Sequence, residues 1–285
     1  MTLNISSNNV YGQCDLKCAY SFSYSNSSCI VKNEGFSLSI SYDSTNTPPV
    51  TYNNNKYLVH EVILFSPSIH LFNNVSTDAE LVIYHYPVSG GQPLYVSIPI
   101  VQSDSVSEAT TILTNIVETC ASLAPSQGTS ATVNIQNYSL QPIVPSQKPF
   151  YSYTDSSGNN WVVFGKEMSL SLSKNTLDTV KQLIQPLNYV YCVEGPSVFY
   201  NEKGANTTDT QGSDIYIDCQ PVSTSEETTI TQQQQQQQDS SSSNFFKNSQ
   251  VKYSFFIILF LLAFLLFFVG IYYFIVGKKI QIINK

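Results

Sequence analysis

Three histidines, His60, His70 and His85, make up the whole imidazole complement of the chain, and they fall within 26 residues of one another beside Glu61 and Glu80. Imidazole nitrogens and carboxylates are the donors of zinc centres and the acids and bases of proton-transfer chemistry. Six cysteines, Cys14, Cys18, Cys29, Cys120, Cys192 and Cys219, form a second reactive set. A zinc site at Cys14, Cys18 and Cys29 would rest on a C-x3-C spacing plus one distant thiol, which is loose and incomplete. An even number of cysteines suits disulfides instead, and we expect Cys192 to pair with Cys219 and either Cys14 or Cys18 to pair with Cys29. Free thiols are the expectation if this part of the chain faces a reducing cytosol.

The elements that must position these groups are mostly strands. Residues 1–222 are dominated by β-branched and aromatic runs, such as FSLSISYD, YLVHEVILF, ELVIYHY, LYVSIPIV and NWVVF, divided by Asn, Pro, Gly and Ser. That punctuation and period-two alternation predict a sheet-rich domain. Helical signals are confined to Ser105–Leu123 and to Thr176–Ile184, where Lys174 and Asn175 open a short helix.

Beyond residue 222 the composition changes. Residues 223–252 include seven consecutive Gln (Gln232–Gln238) and a Ser run. Such a stretch buries too little apolar area to offset chain entropy and reads as a disordered stalk, with a short polyglutamine interaction tract as the alternative. Residues 253–276 follow, with 23 uncharged residues from Ser254 to Val276. At 1.5 Å per residue they are long enough for a transmembrane helix, and Tyr253, Tyr272 and Tyr273 stand near its ends, where amphipathic rings favour the interface. The tail 277–285 carries Lys278, Lys279 and Lys285. Its lysines favour a cytoplasmic tail, whereas tail insertion without an N-terminal signal peptide would leave the large part cytosolic; the two readings conflict. Asn4, Asn26, Asn74, Asn137 and Asn206 each open an N-x-S/T sequon, whose use depends on that topology.

Charge excludes one class of partner. Residues 1–222 carry 8 Lys, no Arg and 17 Asp or Glu. Nucleic-acid and sulfated-glycan binding run on basic side chains, so neither is expected of this domain, and no cofactor is implied.

The stretch Tyr57–His85 resembles the α-carbonic anhydrase core, whose pattern is Y-x-L-x-Q-x-H-x-H-x-P-S-E-H, then an Asn-Gly turn, then E-x-H-x-x-H. Here Ser66-Pro67-Ser68, His70, Asn73-Asn74, Glu80 and His85 fall at matching spacing. Farther on, Tyr151-Ser152-Tyr153, Ser156, Asn160-Trp161-Val162-Val163-Phe164 and Leu170-Ser171-Leu172-Ser173 are similar to that family's later strands. The resemblance implies a mainly β, α-carbonic anhydrase-like fold with a large, mostly antiparallel central sheet and peripheral short helices, joined to the one C-terminal transmembrane helix.

The family holds Zn²⁺ through three histidines, and the positions that match them here are Ile63, Phe65 and Val82. Zinc needs nitrogen, oxygen or sulfur donors, which these side chains lack. The family's T-T-P-P-C run, with its gate-keeping Thr, is replaced by the shorter Asp155–Asn160. The resemblance therefore implies a chain that is not an enzyme and holds no metal. His70 and His85 match non-ligand histidines with scaffold roles, Glu80 a buried hydrogen-bonded carboxylate, and Trp161 a structural position. Strand parity puts His60 on the face opposite Ile63 and Phe65.

Stalk, anchor and metal-free domain together resemble in layout the poxvirus carbonic-anhydrase-like envelope protein that binds cell surfaces, and point to a large DNA virus. This implies a virion membrane protein, exposed through its N-terminal domain, that binds a host-cell glycan or protein receptor. The alternative is a structural envelope protein contacting capsid or other viral membrane proteins. An active carbonic anhydrase is the third reading.

Overall fold

The computed structural model describes residues 3–14, 18–187 and 196–207. In chain order these form β1 (Asn4–Ile5), β2 (Val10–Gln13), β3 (Tyr20–Phe22), β4 (Ile30–Asn33), β5 (Leu38–Ile40), β6 (Val50–Tyr52), β7 (Asn55–Phe65), β8 (Leu71–Phe72), β9 (Ala79–Pro87), β10 (Leu94–Gln102), α1 (Glu108–Leu123), β11 (Ser130–Thr132), β12 (Phe150–Thr154), β13 (Asn160–Phe164), β14 (Leu170–Leu172), α2 (Lys174–Leu183) and β15 (Val198–Asn201). The stalk 223–252, the apolar segment 253–276, the tail 277–285 and the cysteines Cys192 and Cys219 lie outside the described residues, among which no helix is long and apolar enough to cross a membrane.

One large mixed sheet organises the described chain, running β11-β4-β5-β7-β9-β10-β13-β12-β15-β2. Most of its pairings are antiparallel; β10 with β13, β10 with β14, and β15 with β2 are parallel. The sheet is apolar on both faces at its centre. In β9 the odd residues Ala79, Leu81 and Ile83 enter the larger core, and Val82 enters a second cluster with Tyr151, Tyr153, Trp161 and Val163. A strand buried on both faces loses the inside-outside alternation of a half-exposed one.

The helices lie on the larger core. In α1 the buried residues Ala109, Ile112, Leu113, Ile116, Val117 and Cys120 recur at spacings of three and four, one stripe of a helix. Ser107 caps its first turn, accepting from Thr110 N, so the helix begins three residues after the first residue of the sequence expectation. Ser173 caps α2 in the same way, from Thr176 N.

The expectation that Cys14 or Cys18 pairs with Cys29 is corrected. Cys14 bonds Cys18, with Cα atoms 5.6 Å apart, and Cys18 N donates to Cys14 O. Cys29 is a buried free thiol beside Tyr138, as Cys120 is in α1. Burial pushes the Cys29 thiol up to about 12.

Candidate functional site

The chemistry-bearing residues gather on the smaller-core face of the sheet, where β7, β9, β10, β13 and β12 run side by side. Ile63 lies opposite Val82, Val82 opposite Ser97, Ser97 beside Val163, and Val163 opposite Tyr151. Phe65, two residues along β7, shares the face of Ile63 and packs against the same cluster as Val82. An i, i+2 pair with a cross-strand neighbour is an arrangement that can converge on one metal ion. Here it converges three hydrocarbon groups, which do not fit a zinc ion. Among the described residues no group of three or more His, Cys, Asp or Glu could hold a metal.

Beside this trio lies a polar network. Glu80 is buried and lies opposite Phe65. Its Oε2 accepts from the backbone N–H groups of Ile69 (2.7 Å) and His70 (2.9 Å). Its Oε1 accepts from the Ser97 hydroxyl and, at 2.5 Å, from His70 Nδ1. Burial works against the charge, but the His70 ring and these donors outweigh it and hold the Glu80 carboxyl below its usual range. An unpaired carboxylate here would cost several kcal/mol, so the donors are what permits the residue. The other nitrogen of His70, Nε2, is 2.8 Å from the Tyr153 hydroxyl.

His85 points to the opposite face. Its Nδ1 meets the Leu94 carbonyl at 3.2 Å and its Nε2 the Tyr24 hydroxyl at 3.0 Å. Burial pushes its pKa down to about 4, so the ring is neutral at pH 7, with Nδ1–H donating and Nε2 accepting.

His60 is not where strand parity puts it. The register of β7 against β9 shifts between Val59 and Glu61, and the bulge reverses the alternation: Tyr57 and Val59 are buried before it, Val62 and Leu64 after it. His60 thus sits on the face of Ile63 and Val82, its ring edge-on to Tyr84 (centroids 4.9 Å) and to Tyr86 (5.7 Å).

Trp161 donates its Nε1–H to Asp155 at 3.0 Å, and Asp155 also accepts from Ser157 N, Asn159 N and Asn159 Nδ2. Asp155–Asn160 is thus a tight turn organised by one carboxylate. Sequence reasoning missed Asp155, Ser97, Tyr84, Tyr95 and Tyr153 as members of this face. The aromatic alternation in ELVIYHY and LYVSI was the available signal.

Four of the five sequon asparagines lie in two hydrogen-bonded pairs. Asn26, Asn74 and Asn137 are exposed, and the amide of Asn26 donates to Asn137. The half-buried side chain of Asn4 accepts from Asn74 N, and that of Asn206 accepts from Phe22 N at 2.7 Å. A cleft of about 660 Å³ is lined in part by Ser66, Asp78, Gln102, Lys166, Lys181 and Ile184 and by none of the trio.

No protein-family model and no curated protein sequence matches the chain. Solved structures do. Dioscorin, crystallised with ascorbate, superposes with a TM-score of 0.52 at 17% identity, over 71% of this chain and 85% of that one. The α-carbonic anhydrase of Thermovibrio ammonificans in complex with sulfanilamide gives 0.53 at 13% identity, over 70% and 85%. A Chlamydomonas reinhardtii carbonic anhydrase in complex with acetazolamide gives 0.53 at 15%, over 70% and 89%. The fold is α-carbonic anhydrase-like; at these identities the likeness defines the fold alone.

Proposed function

We propose that this chain is a carbonic anhydrase-like protein that has given up metal chemistry for binding. In this reading its folded domain is held by the Ser/Gln-rich stalk and a single C-terminal anchor at a virion membrane, where it engages a host-cell receptor. The observation that carries the reading is the apolar trio Ile63, Phe65 and Val82, which shares one sheet face with Ile63 and Val82 in direct register. Three hydrocarbon side chains there leave a zinc-bound water without a seat. The excess of 17 acidic over 8 basic side chains in residues 1–222 favours a neutral glycan or a protein receptor over a sulfated one.

The test uses the full-length protein in detergent, with zinc content and CO₂ hydration measured together with binding to intact host cells. The reading predicts no zinc-dependent hydration and saturable cell binding. Stoichiometric zinc with hydratase activity would make the protein an enzyme. Inert behaviour toward cells combined with tight capsid association would make it a structural envelope component.

A further inference from the structure

Four aromatic residues stand in a row on the smaller-core face, one from each of four neighbouring strands: Tyr84, Tyr95, Trp161 and Tyr153. Register sets each opposite or beside the next. Their rings stack, with centroids 4.9 Å apart for Tyr84 and Tyr95, 4.5 Å for Tyr95 and Trp161, and 5.6 Å for Trp161 and Tyr153; the planes are within 16° throughout. The ring faces are engaged with one another, so a sugar ring finds little free aromatic face in the row. Burial is graded along it: Trp161 and Tyr153 are buried, Tyr84 and Tyr95 are half-buried, and Tyr86 next to the outer end is exposed.

The inner end of the row meets a proton acceptor. All the contacts of the Glu80 carboxylate described above are with donors, so a hydrogen sits on His70 Nδ1; in the neutral ring Nε2 then presents its lone pair to the Tyr153 hydroxyl 2.8 Å away. That separation is within proton-transfer reach. The Trp161 N–H instead faces Asp155, already committed to three further donors and therefore a poor acceptor for the indole proton.

We propose that the row is a one-electron relay that carries oxidising equivalents inward from oxygen- or nitrogen-centred radicals, with Tyr153 as the terminal donor. The radical takes one electron from the half-buried end and is reduced, and the electron deficit passes by stacking contact to Trp161. Tyr153 then gives one electron to the Trp161 radical cation and its phenolic proton to His70 Nε2. The O–H bond of Tyr153 breaks and an N–H bond forms on His70. The products are a neutral indole, a neutral tyrosyl radical and an imidazolium paired with ionised Glu80, so charge and protons balance. The oxidising equivalent is held inside the domain, away from its surface.

The chain contains one Trp, which makes the step directly readable. Photoionising the full-length protein in detergent at the long-wavelength edge of the indole band, where tyrosine does not absorb, places the electron hole on Trp161. Transient absorption is expected to show the indole radical decaying into a tyrosyl radical in a first-order process independent of protein concentration. Tyr153→Phe is expected to lose the tyrosyl signal and prolong the indole radical, whereas Tyr95→Phe retains both signals. An indole radical that decays in the unaltered chain without forming tyrosyl radical would overturn the proposal, whatever the variants do. Tyrosyl growth that survives in a folded Tyr153→Phe protein, or that vanishes in Tyr95→Phe, would overturn it as well.

Discussion

At the scale of single residues, His85 shows how burial turns an ionisable group into a stability switch. Its ring donates Nδ1–H to Leu94 and accepts at Nε2 from Tyr24; burial disfavours the imidazolium more than the Leu94 carbonyl favours it, and the pKa falls from 6.5 to about 4. The unfolded chain therefore binds more protons than the folded one between those values. Stability is complete above pH 6.5 and is lost as pH falls toward 4, by up to about 3 kcal/mol. Urea midpoints of the wild type should decline across this window, and His85→Leu should flatten that decline. Equal slopes in the two proteins would remove His85 as the cause. Glu80 and Asp155, whose carboxyls are held below their ordinary range, add their losses only at lower pH. A second residue-scale expectation concerns thiols. Cys29 and Cys120 should resist alkylation in the native protein and react only after unfolding, as mass mapping would show; recovery of Cys29 in a disulfide would contradict the structure.

At the scale of elements, the turns and the bulge differ in how plainly the sequence announces them. Asn53-Asn54 closes the β6–β7 hairpin with φ of 48° and 63°, and Asn73-Asn74 repeats the conformation at 51° and 65°. Both are two-residue Asn loops of the kind that right-handed strand twist favours, and both stand out as punctuation between apolar runs. Asn54→Val forces a β-branched side chain into the left-handed region and should lower stability by roughly 1–2 kcal/mol, with Asn54→Gly neutral or better, measured by denaturant titration. A neutral Val variant would contradict the turn. The bulge at His60 gives no such sign. In V-H-E-V, neither Gly nor Pro marks the extra residue, so parity counted from either end of β7 reads correctly for only half the strand. That is why the face of Ile63 and Phe65 could be anticipated while the place of His60 on it could not. Pairing of Cys14 with Cys18 was hidden for a similar reason, since no residue type between them favours that partner over Cys29.

At the scale of the molecule, the sheet-rich core and both helices were readable from alternation and from the i, i+3, i+4 stripe of α1, because those patterns are local. The order in which strands lie in the sheet is non-local. No strand order was read from the sequence; the fold class alone was reached, through the resemblance carried by Ser66-Pro67-Ser68, His70, Glu80 and His85, and the superposition on carbonic anhydrase structures agrees with the fold this implied. The aromatic alternation in ELVIYHY and LYVSI marks single members of the aromatic row but not the row itself, since Tyr84, Tyr95, Trp161 and Tyr153 meet only when β9, β10, β13 and β12 are set in register. The proposed function turns on the reading that this sheet face is where the fold would hold zinc and that Ile63, Phe65 and Val82 stand at the ligand positions. The most direct test is to combine Ile63→His, Phe65→His and Val82→His in the full-length chain and to measure bound zinc in parallel with the wild type, with circular dichroism as the check on folding. The account predicts about one zinc per chain in the triple variant and none retained by the wild type. Equal zinc in both proteins, or a folded triple variant that binds no more than the wild type, would contradict it.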